Sequence, residues 1–196
     1  MSEALVAHTR AGDTLRVGPA RGSMTLDDEL ASDLVLVAAD TGWAPVKALL
    51  EDLSARRRHR NVRLFLGAHS FADLYDAGPP SELERRRPWL RVTPVIGRRP
   101  GTGAAFGAGE DGYDALAEAV AEAVTRHGDW SGHQAYVSGP TAVVEATVAR
   151  LTAAGMPPGS IRHDPLSDIL RPSSRAVTGG PGAATAANTA FEGVES

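Results

Sequence analysis

Apolar residues along this chain fall into short solid runs, separated by stretches in which they recur every three or four positions. The runs are Asp33–Ala39 (DLVLVAA), Asn61–Ala68 (NVRLFLGA), Leu90–Ile96 (LRVTPVI) and a short one at Gln134–Val137. Short runs of this kind, rich in Val and Leu, predict strands that are apolar on both faces. The intervening stretches predict helices from Ala44 to about Arg58, around Phe71–Asp76, over Tyr113–Arg126 and over Thr141–Ala154. In the third of these, Leu116, Val120 and Val124 lie about four apart and share a face. Ser160–His163 makes a fifth, edge strand. Buried strands alternating with helices predict an α/β fold: a doubly wound five-stranded parallel sheet with helices on both faces. Ligands of such folds gather at the carboxyl ends of the strands, where the strand order switches. Two small polar clusters stand at such ends, AADTGWAP after the first strand and VSGP after the fourth.

Residues 1–31 stand outside this rhythm and read as a strand or two (GDTLRVGPARGSM). Residues 32–170 carry the α/β pattern. Residues 171–196 are rich in Gly, Ala, Thr, Ser and Pro with one aromatic, so a disordered tail is expected there.

Composition narrows the function classes. Hydrophobic residues make up 42% and the net charge is −4, so nothing draws the chain as a whole toward nucleic acid or an anionic membrane. The chain has no cysteine, which removes disulfides and thiolate chemistry. With no signal pattern at its start and no membrane span, a cytoplasmic protein is expected. The six histidines show no metal-ligand spacing, so no metal is expected. The basic runs Arg56–Arg60 and Arg85–Arg87 lack an aromatic platform and read as solvated faces. The glycines of GTGAAFGAG sit too far ahead of the next helix for a phosphate loop, and no G-x-S-x-G elbow occurs.

The cluster after the first strand admits several readings. Gly42 lets a ligand or a backbone come close, Thr41 offers a hydroxyl, and Pro45 suits the first turn of a helix. The free N–H groups of a helix start, together with its dipole, attract an anion. The same residues also serve a plain strand-to-helix turn. Asp40-Thr41-Gly42 taken alone is the tripeptide of an aspartic protease, which would need a homodimer to supply the second carboxylate.

Taken in order, the motifs resemble the ferredoxin–NADP reductase superfamily. VLVAADTGWAPVKALL is similar to its first nucleotide-binding turn. RLFLGAHSFADLYD is similar to its second strand and continuation, and AYVSGPTAVVEATVARLTAAGMPPGSIRHD to its fourth strand, Gly-Pro turn, helix and last strand. GDTLRVGPARGSM resembles the end of that family's flavin-binding β-barrel, so residues 1–31 would be a short remnant of it. The motifs also resemble the reductase part of flavohaemoprotein-like oxidoreductases. The resemblance implies the NAD(P)H-binding portion of a flavin-dependent oxidoreductase. In such an enzyme hydride passes from nicotinamide to FAD and electrons go onward to an acceptor.

Carried over by residue, Thr41, Gly42 and Pro45 would meet the dinucleotide, and Gly139 and Pro140 would form the second wall. Arg98 would read a 2′-phosphate, Tyr113 would stack on adenine, and Ser138 would stand beside the nicotinamide as the catalytic position. Gly22, Ser23 and Met24 would approach the flavin. Asp40 stands where the family has glycine, Ser138 where it has cysteine, and His69 where it has arginine. FAD would bind only if the rest of the barrel is supplied, so a flavin-barrel or electron-acceptor partner is expected. The alternative is a degenerate nucleotide-binding or interaction module without turnover.

Overall fold

The computed structural model describes residues 7–16, 24–27, 32–56, 60–74, 79–97 and 113–165. Five strands lie in it, β1 (Leu34–Ala39), β2 (Val62–Ala68), β3 (Leu90–Ile96), β4 (Gln134–Gly139) and β5 (Ile161–Pro165). All pair in parallel, in the order β3-β2-β1-β4-β5. The doubly wound five-stranded sheet expected from the apolar runs is therefore present. The order reverses between β1 and β4, which makes their carboxyl ends the switch point.

β1 is buried along its whole length and divides the core in two. Val35, Val37 and Ala39 face one apolar cluster, and Leu34, Leu36 and Ala38 face the other, as the two-residue period of a strand requires. Helices α3 (Asp114–Arg126) and α4 (Thr141–Ala153) cover the first face through Leu116, Val120, Val124, Val143 and Leu151. Helix α1 (Trp43–Ala55) covers the second with Trp43, Val46, Leu49, Leu50 and Leu53.

Several elements differ from the sequence reading, β5 among them, which runs from Ile161 to Pro165. β4 runs on through Ser138 to Gly139, because Ser138 pairs with both β1 and β5, Gly139 pairs with β5, and both are buried. α1 ends at Ala55, where Arg56 turns to extended backbone. The helical piece around Phe71–Asp76 is a single 3-10 turn, Phe71–Asp73. A further helix, α2 (Pro80–Arg86), follows that was not expected. Its sequence carries the signals in plain form: proline at the start, Glu82 in the first turn, Arg85 and Arg86 in the last. Both arginines pair with Glu82 and hold its carboxyl below the ordinary range, chiefly through the hydrogen bond from Arg85. The run Arg85–Arg87 is thus a solvated helix end, and Arg87 donates to the Ser54 hydroxyl.

Before the sheet, the described residues 12–16 and 24–27 form no strand. The remainder of the expected barrel remnant, the glycine-rich loop with Arg98, the middle of the run Arg56–Arg60 and the tail 171–196 lie outside the described residues.

Candidate functional site at the switch point

The turn after β1 goes straight into a helix. Asp40–Gly42 form one 3-10 turn, and α1 begins at Trp43. Ala39 is still extended (φ −135°, ψ 137°), so the chain passes from strand to helix within one residue. Pro45 lies in the first turn of α1, where a missing N–H costs nothing. Neither the 3-10 turn nor α1 has a side-chain cap. The N-caps are Ala39 and Gly42, which have no side chain able to cap, and the Trp43 amide donates back to the Asp40 and Thr41 carbonyls, so the positive end that faces the switch point is the start of the 3-10 turn that leads into α1.

The second wall comes from β4. A Cβ added to Gly42 would lie 2.2 Å from the Ser138 carbonyl oxygen and 2.6 Å from the Gly139 nitrogen. The two turns singled out in the sequence are thus packed backbone on backbone, and glycine at position 42 is what lets them meet. Thr41 is exposed on this junction, while Pro45 and Pro140 are half-buried and Gly139 is buried. Ser138 is fully buried, and its hydroxyl donates to the Asp164 carbonyl at 3.4 Å, across the β4–β5 ladder.

On the other side of the turn, Asp40 has φ 52°, the one positive φ of a non-glycine among the described residues. Its Oδ2 accepts a 2.5 Å hydrogen bond from the Tyr113 hydroxyl at the start of α3. The Tyr113 ring stands 5.2 Å from that of His69, at 41°. His69 Nδ1 lies 3.3 Å from the Gly97 carbonyl oxygen. Residues from the ends of β1, β2 and β3 and the start of α3 thus form one string. Sequence reasoning noted Asp40, His69 and Tyr113 separately and missed that they join, because no local pattern links positions so far apart.

Met24 packs elsewhere, against the cluster that holds Trp43 and Tyr136. Gly22 and Ser23, like Arg98, lie outside the described residues. No group of three or more His, Asp or Glu side chains that could hold a metal occurs among the described residues. None of the described helices is long and apolar enough to cross a membrane. The protease alternative falls here. Asp40-Thr41-Gly42 is the start of a helix in a parallel α/β sheet, not a loop of a β-rich protease.

An uncapped helix start at the switch point of a doubly wound sheet defines a dinucleotide-binding type of domain. The chain belongs to the oxidoreductase NAD-binding domain family, which it matches over residues 36–149. It is 30% identical over 167 residues to the terephthalate 1,2-dioxygenase reductase component 2 of Comamonas, covering 85% of this chain and 46% of the relative. It is also 30% identical over 157 residues to the aromatic O-demethylase reductase subunit of Amycolatopsis, covering 79% of this chain and 44% of that one. The crystal structure of the Amycolatopsis reductase GcoB superposes with a TM-score of 0.57 at 26% identity, covering 84% of this chain and 49% of that one. The chain thus spans less than half the length of these curated relatives. The resemblance to ferredoxin–NADP reductases drawn from the motifs agrees with all three.

Proposed function

We propose that this chain is the NAD(P)H-binding part of a flavin-dependent reductase, which takes hydride from the nicotinamide to FAD and sends electrons onward to an acceptor. The observation that carries this reading is the uncapped start of α1 beside Gly139 at the switch point. A pyrophosphate suits unsatisfied amides and a positive helix end. The residues present fit such a group: Thr41 offers an exposed hydroxyl, Gly42 and Gly139 keep the two walls close, and Pro45 sits in the first turn of α1 where its missing N–H breaks no helix bond. Arg98 is assigned to a 2′-phosphate, where a guanidinium can bind in two-pronged fashion. Ser138 is assigned to the nicotinamide end, its hydroxyl already anchored on Asp164.

When bound, the dinucleotide supplies the hydride. The chain's own part is to hold the ring in place and to keep competing water out. The relatives bear the names of reductase components and subunits of oxygenase and demethylase systems. That supports an oxygenase or a ferredoxin-like protein as the downstream partner, and a flavin site completed by residues beyond the α/β domain. The rival is a domain that has kept the sheet and lost turnover, favoured by Asp40 at a glycine position.

Calorimetric titration of the chain with NAD⁺ and NADP⁺ tests the reading. Binding of one or both is expected. Arg98→Ala is expected to weaken NADP⁺ by about tenfold, the loss of one charge-assisted contact, and to leave NAD⁺ unchanged. Silence toward both nucleotides would sink the reading, and an equal loss for both in Arg98→Ala would remove the 2′-phosphate assignment.

A further inference from the structure

An aspartate next to a helix start ordinarily turns its carboxylate onto the free amides of the first turn. Were Asp40 to do so, it would occupy the place that an anion would take. It does not: among the described residues the Asp40 carboxylate is hydrogen-bonded to the Tyr113 hydroxyl and to no amide of its own turn. The carboxylate is instead drawn to the Tyr113 hydroxyl at 2.5 Å. The backbone of Asp40 is held at φ 52°, a conformation costing a side-chain-bearing residue about 1–2 kcal/mol. Such strain persists only where surrounding contacts impose it. Tyr113 is itself fixed, with its ring against His69 and His69 in turn beside the Gly97 carbonyl.

We propose that Tyr113 is a positioning residue for the dinucleotide turn. Its hydroxyl holds the Asp40 carboxylate off the first amides of the 3-10 turn that leads into α1, and so keeps that helix start open to a pyrophosphate. The inference rests on the reading of the site given above. Released from Tyr113, the carboxylate caps its own helix, takes the amides from the ligand, and sets a negative charge beside the phosphates.

The test is a four-way comparison by calorimetry with NAD⁺ and NADP⁺: the native chain, Tyr113→Phe, Asp40→Gly, and the double variant. Phenylalanine keeps the ring and its stack on His69 and removes only the hydroxyl. Glycine removes the carboxylate and suits the positive φ. Tyr113→Phe is expected to weaken nucleotide binding by about tenfold, the effect of one poorly screened like charge. Asp40→Gly is expected to bind at least as tightly as the native chain. In the Asp40→Gly background, Tyr113→Phe is expected to change affinity by less than about twofold, since no carboxylate is left to release. A tyrosine that merely supports the fold would show the same loss in both backgrounds, and that result overturns the proposal, as does native affinity in Tyr113→Phe. Binding by Asp40→Gly but not by the native chain also overturns it, since the tyrosine would then have failed to hold the charge away; the reading of the site would survive. Silence from both overturns inference and reading together.

Discussion

At the scale of single residues, Gly42 is the described glycine whose added Cβ would meet its neighbours most closely. A side chain there would run into the backbone of Ser138 and Gly139, not into a rotatable side chain that could step aside. Gly42→Ala must therefore push the turn of α1 off the end of β4 or twist both. We expect a loss of about 1–3 kcal/mol, the usual range for forcing a methyl group into a filled space. Chemical denaturation reads the stability, and titration with NAD⁺ reads the site. Nucleotide affinity is expected to fall by more than the fraction of unfolded chain explains, because the walls of the crevice separate. A variant with native stability and native affinity would show that the close approach is incidental. Asp40 shows the opposite case. Nothing in AADTGWAP foretells where its carboxylate goes, since its partner enters from the start of α3. The sequence made Asp40 look like a flaw in a nucleotide turn. In the fold its charge is met by a phenol hydroxyl, so the repulsion expected from a bare carboxylate does not follow directly.

At the scale of elements, the distance between helix and sheet depends on which residues have no side chain. α3 lies so near β2 that a Cβ on Gly67 would come 2.8 Å from Cγ2 of Val120. Here the obstacle is a methyl group and not backbone, so it can be removed. Gly67→Ala alone is expected to cost about 1–3 kcal/mol, and Val120→Ala alone about 1–2 kcal/mol through the space it leaves. The pair together is expected to cost less than the sum, because the new methyl fills part of the old gap. Denaturation of the four chains measures that coupling, and strict additivity would mean that α3 shifts instead of Val120. The elements themselves were largely legible: apolar runs under pressure from both faces read as strands, and Leu116, Val120 and Val124 marked the buried stripe of α3. Misreadings fell where burial is partial. α2 presents only Leu83 to the core, so it left no apolar period to find, and its proline and charge signals went unused. β4 was cut short at Val137 because serine and glycine do not look like a strand. They are buried because β1 and β5 flank them, a tertiary cause that no local pattern carries.

At the scale of the whole molecule, a short strap ties the chain before the sheet to the sheet itself. Arg162 on β5 donates to the Thr25 carbonyl at 2.9 Å and pairs with Asp27 at 3.3 Å. The Tyr136 hydroxyl on β4 donates to the same Thr25 carbonyl at 3.0 Å, and Arg60 donates to the carbonyl of Asp27. Leu26 is buried between these anchors, in the cluster that contains Tyr136 and Trp43. The strap thus joins residues that the sequence assigned to a separate leading segment to the core beneath α1. Arg162→Ala removes the bonds to the Thr25 carbonyl and hydroxyl, the pairing with Asp27 and the contact over the Tyr136 ring at once. The Arg162 side chain is about a third exposed, so solvent screens part of their worth, and a loss of about 1 kcal/mol is expected. Tyr136 and Arg60 remain, which means the strap should loosen and not detach. Hydrogen exchange at the amides of residues 25–27 is the direct measure, and faster exchange there with little change in β1 is the expected outcome. Affinity for the dinucleotide should hold in the isolated chain. If exchange in the strap is unaltered, Tyr136, Arg60 and Leu26 suffice to hold it and Arg162 is only a surface cation. If β1 loosens as well, the strap is part of the cooperative core, and the leading segment and the sheet fold as one unit.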